Sequence, residues 1–98
     1  MATTKRKTAT TATRSAPAAQ EVERVQTGVR LEKRLLKVLK GLAEYLDLSL
    51  GDLIEGMALH ALENKAPFSP ATLKRIQDLK RVYSLDLDAR HSHRLSEG

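Results

Sequence analysis

The sequence predicts a mostly α-helical protein with one short β-strand near its start, completed by a second copy of the chain. Three observations lead there. Val25, Thr27, Val29 and Leu31 alternate with Gln26, Gly28 and Arg30, the period-two pattern of a strand with one buried face. Leu35, Leu39, Leu42 and Leu46 follow at spacings of four, three and four, the period of an amphipathic helix. The third observation is a shortfall: roughly 40 residues holding one strand and two helices cannot pair a strand's edges or close a core alone.

Taken in order, the strand is expected over residues 25–31, with Gly28 letting another backbone or a ligand approach closely. The first helix is expected to run for about 14 residues and end near Asp47. Leu36 and Ala43 widen its apolar stripe, and Lys33, Arg34, Lys37, Lys40 and Glu44 fall on its other faces. It opens at Glu32-Lys33, without a Ser, Thr, Asp or Pro start. Ser49 is then an N-cap for a second helix, with Asp52 in the first turn where a carboxylate favours the positive end. Leu50, Leu53, Ile54, Met57, Ala58, Ala61 and Leu62 give that helix an almost uninterrupted apolar face, and it should stop between Asn64 and Ala66, before Pro67. Ser69 caps a third helix with Pro70 at its first position, where a missing N–H is harmless. Leu73, Ile76, Leu79 or Lys80, and Tyr83 follow at helical spacing, Lys74, Arg75, Lys80 and Arg81 make much of the exposed surface basic, and the end is expected near Ser84. Leu85 and Leu87 alternate with Asp86 and Asp88 too briefly for a strand, and the last ten residues are expected to fray.

Charge divides the chain into three expected regions. Residues 1–20 hold Lys5, Arg6, Lys7 and Arg14 and no acid, and twelve of them are Thr or Ala, so nothing there offsets chain entropy; residues 1–22 read as a disordered basic arm. Residues 23–65 read as the domain that holds the strand and the first two helices, and 66–98 as a helical extension with a frayed tail. The net charge of +5 therefore sits on the ends. A basic arm of this kind is a solubilising tail or a sequence-indifferent hook for phosphate backbones, its binding strongly weakened by salt.

Composition excludes several functions. No cysteine means no disulfide framework, no thiolate zinc site and no cysteine nucleophile. No apolar run approaches the roughly 18–20 residues of a membrane span, so a soluble protein of the cytoplasm is expected, associated with the nucleoid if it binds DNA. His91 and His93 stand near a terminus and His60 lies far off, so no metal site is expected. No glycine-rich phosphate loop and no assignable nucleophile and base occur, so no catalytic residue, no cofactor and no enzyme are expected.

The two-fold arrangement that closes the shortfall pairs the strands antiparallel over four helices. Val25, Thr27, Val29, Leu31, Leu35, Leu39, Leu42, Leu46, Leu53, Ile54, Met57 and Ala58 then form the shared core, leaving Gln26, Gly28 and Arg30 on the outer face of a two-stranded ribbon that fits the DNA major groove.

These residues resemble a known family. The stretch Val25-Gln-Thr-Gly-Val-Arg-Leu31, then Leu35-Leu36, Leu39, Leu42-Ala43, Leu46, Leu48-Ser49 and Leu53-Ile54, is similar in register to the ribbon-helix-helix DNA-binding proteins across residues 25–64. The resemblance implies an intertwined homodimer with an intermolecular ribbon, acting as a sequence-specific repressor-like transcriptional regulator of bacterial, plasmid or phage type. Carried over position by position, it implies base contacts from Gln26, Gly28 and Arg30, the middle one being a glycine without a side chain. It also implies a phosphate held at the backbone amides of Leu50 and Gly51 beside Ser49, with Lys5, Arg6, Lys7 and Arg24 as further phosphate contacts. The homodimer could assemble further along DNA, and two alternatives stand beside it: an antitoxin-like protein whose residues 66–98 bind a protein partner, and a protein that coats DNA without sequence choice.

Overall fold

The computed structural model describes residues 19–98 and contains three helices: α1 (Lys33–Leu46), α2 (Leu50–Leu62) and α3 (Pro70–Val82), followed by a short 3-10 turn at Ala89–His91. Each helix start is fixed by a side chain. Ser49 Oγ accepts the Asp52 N–H at 3.0 Å and Ser69 Oγ accepts the Thr72 N–H at 3.2 Å, with Pro70 in the first turn of α3. α1 uses a less usual cap: the Glu32 carboxylate accepts the Leu35 N–H at 2.8 Å. All three helices end on a residue in the left-handed region, Asp47, Asn64 and Ser84, with φ of 60°, 58° and 55°. The next residue bonds back across the last turn, Leu48 N–H to Ala43 O at 2.9 Å, Lys65 to His60 at 2.9 Å and Leu85 to Lys80 at 2.8 Å. This is the Schellman closure made without glycine.

α1 is the central element. Leu39, Leu42 and Ala43 bury themselves with Leu53 of α2, and Leu35, Leu46, Leu50, Met57 and Phe68 pack around them together with Ile76 and Leu79 of α3, so the three helices share one core. α1 meets α3 in antiparallel register. Tyr45 lies against Arg75, Gly41 against Leu79, Lys37 against Tyr83, and Arg34 against Ser84 and Asp86. Gly41 permits this approach, since a Cβ there would stand 3.0 Å from Leu79 Cδ2. Val38 and Leu85 are also buried. Thr72, the buried polar residue, accepts a hydrogen bond from Ser69 Oγ at 3.1 Å.

The expected strand and ribbon are corrected here. No β-strand occurs among the described residues, and the protein is a three-helix structure with an extended lead-in, not a ribbon-helix-helix fold. Residues 19–31 are exposed throughout, Val25 at 78% and Val29 at 73%. The physical reason is that alternation fixes where side chains point but supplies no hydrogen-bonding neighbour, and within one chain no edge lies beside this segment. Val25, Thr27, Val29 and Leu31 therefore do not pack with the helices. Leu85 to Asp88 form no strand, and the tail is partly organised: Asp88 caps the 3-10 turn by accepting the Arg90 N–H at 3.0 Å.

Two glycine substitutions test this packing in opposite directions. Gly41→Val should lower unfolding free energy by about 1–3 kcal/mol in denaturant titration, because its branches must push Leu79 and α3 away. Gly56→Ala in α2, whose Cβ would meet nothing within 4 Å, should raise it by roughly 0.5–1 kcal/mol through helix propensity.

Candidate nucleic-acid interface

The residues singled out for DNA lie on the extended segment and at the start of α2. Gln26, Gly28 and Arg30 are exposed, and open space surrounds Gly28. The Arg30 guanidinium donates to the Glu97 carboxylate in the C-terminal tail, an ion pair exposed on both sides. Arg24 is held more firmly: its Nε and an Nη each donate to the Glu55 carboxylate at 2.9 Å, and the same Nη stands 3.8 Å from Asp52. Two arginine side chains thus tie the lead-in to the folded body. The bidentate pair raises the Arg24 pKa, chiefly through the hydrogen bond to Glu55, and lowers that of Glu55 for the same reason.

At the start of α2, Ser49 is occupied as the cap, Leu50 is half-buried against the core, and Gly51 is exposed with its Cβ position 4.0 Å from Ser49 Oγ. Asp52 and Glu55 make the same end acidic, so Arg24 neutralises the carboxylates there and is not free to hold a phosphate in this arrangement. Lys5, Arg6 and Lys7 lie outside the described residues.

The residues expected in a shared core divide sharply. Leu39, Leu42 and Leu53 are buried, and Leu35, Leu46 and Met57 are half-buried beside them. Ile54 and Ala58 are exposed, as are Leu59 at 67% and Leu62 at 83%. α2 is apolar over most of its circumference, yet Leu53 is its one buried residue, so the helix presents an uncovered apolar surface.

Sequence reasoning missed the α1–α3 seam and the part played by Arg34. Arg34 donates to Glu32 at 3.1 Å, to the Ser84 carbonyl at 3.0 Å and to Asp86 at 3.0 Å, joining the cap of α1 to the end of α3. The Glu32 pKa is lowered, first by the Leu35 N–H and then by Arg34. The signal was present in the spacing of Lys37, Gly41 and Tyr45, a small residue midway between two side chains that reach α3. The histidines act locally: His60 Nδ1 is 2.7 Å from Gly56 O, and His91 Nδ1 accepts the Asp88 N–H at 3.0 Å. Among the described residues, no three His, Cys, Asp or Glu side chains gather as a metal site, and no helix is long and apolar enough to cross a membrane.

The lowered carboxylates set a pH dependence. A group whose folded pKa lies below its unfolded value stabilises the fold above the unfolded value, about 4.3 for Glu, and loses that contribution as pH falls through the folded one. The melting temperature should therefore hold from neutral pH to about 5 and fall on further acidification, and Glu32→Gln should flatten that fall in melts followed by circular dichroism.

Compared with known protein families, curated proteins and solved structures, the chain matches none of them.

Proposed function

We propose that the chain is a DNA-binding transcriptional regulator, repressor-like in action and nucleoid-associated, that works as a homodimer on double-stranded DNA. The observation that carries this reading is the pairing of uncovered apolar surface with an exposed, cation-bearing lead-in. Ile54, Leu59 and Leu62 of α2, together with Val25 and Val29, leave apolar area in water that a second copy would cover. Burial of side chains of this size stabilises by about 1.5–3 kcal/mol each when complete. Gln26 and Arg30 stand out on the same lead-in, with the side-chain chemistry for bidentate contacts to adenine and guanine. The Arg30 ion pair is exposed on both sides, so a base competes for its guanidinium against a contact worth little in water.

The alternative of a protein partner for residues 66–98 is disfavoured by one observation: α3 packs its Leu79 onto Gly41 and is engaged within its own chain. Coating of DNA without sequence choice is separated by experiment. Selection of bound duplexes from a random pool at near-physiological salt should enrich a two-fold symmetric sequence, and Arg30→Ala should relax one base position in each half-site by about 1–3 kcal/mol. Binding without enrichment assigns coating instead, and no binding removes the DNA reading.

A further inference from the structure

The flank of α1 beside α3 carries three lysines that no carboxylate neutralises among the described residues. Lys33, Lys37 and Lys40 are exposed and make no ion pair among the described residues. Residues 1–18 contain no acid that could serve them. The nearby carboxylates are already engaged, Glu32 and Asp86 with Arg34 and Asp78 with Arg81. Glu44, one turn beyond Lys40, is the unpaired acid that ends the row. At positions i, i+4 and i+7 the three lysines share one face and span roughly 10 Å of helix. Lys33 and Lys37 line an open groove of about 510 Å³ with Val82 and Tyr83 of α3, and Lys37 Nζ lies 6.0 Å from the Tyr83 ring centre.

The placement of Lys33 opposes local stability. Lys33 stands in the first turn of α1, which has no acid, at the helix end where the dipole disfavours cations by about 0.3–1 kcal/mol. A cost of this kind without a compensating contact is expected at a functional surface.

We infer that this α1 flank is a second contact surface for the phosphate backbone of double-stranded DNA, separate from Gln26 and Arg30. It rests on the DNA-binding reading and deepens it by adding attraction that is indifferent to sequence. A duplex strand presents a phosphate every ~3.4 Å of axis, so the lysine row spans about three of them.

The test is the full-length variant Lys33→Gln/Lys37→Gln/Lys40→Gln, compared with the parent on the duplex enriched from the random pool and on a duplex of unrelated sequence, titrated over salt. With about 0.9 per phosphate contact, the slope of log K against log salt should flatten by up to roughly 2.7 on both duplexes, with sequence preference unaltered. All three positions are exposed, and an unchanged circular dichroism melt verifies the fold. A parent that binds DNA while the variant keeps its slope overturns the flank and leaves the DNA-binding reading standing. A parent that binds neither duplex overturns both.

Discussion

Close approach of α3 to α1 at Gly41 is the constraint on which the rest of the structure depends. α2 and α3 both pack on α1, and Leu53 of α2 meets Ile76 and Leu79 of α3 around the same cluster of Leu39, Leu42 and Ala43. Toward α3, α1 offers a gap at Gly41 that Leu79 fills, with Tyr45 and Lys37 meeting Arg75 and Tyr83 to either side. Arg34 closes the seam by joining the cap of α1 to the carbonyl of Ser84. The caps and the left-handed ends then set helix lengths so that this register is kept.

That arrangement explains how the surfaces are divided. With α1 enclosed on two sides, its remaining flank is the lysine row, and α2 is left covered on one side only. Among the described residues, the lead-in contributes no core and its side-chain tethers are those of Arg24 and Arg30. The lysine row thus lies on α1 and the uncovered apolar side chains Ile54, Leu59 and Leu62 on α2.

The helices were legible because their signals are local. Ser49 and Ser69 with Pro70 mark starts, the leucine spacing marks α1, and Asp47, Asn64 and Ser84 lie where ends were expected. The strand was not, because alternation over residues 25–31 is a local pattern while a strand is a relation between two segments. Gly41 and Val38 escaped for the opposite reason: each owes its burial to tertiary packing, and the sequence pattern points first to the stronger leucine stripe. Glu32 as a cap was hidden by its low intrinsic preference for that position, which Arg34 offsets by fixing the carboxylate. Of the candidate site only the residue types at Gln26, Arg24 and Arg30 could be read, because the acidic partners of the two arginines, 31 residues from Arg24 and 67 from Arg30, lie beyond any local pattern.

The central claim is that the uncovered apolar face of α2 is completed by a second copy of the chain. Light scattering coupled to size exclusion on the full-length protein, repeated across a range of concentrations, tests it most directly. The expected mass is twice the 10.9 kDa of one chain, reverting towards a single chain when Leu59 and Leu62 are both replaced by Ser. A stable mass of one chain at every concentration, with the helices intact, would contradict it.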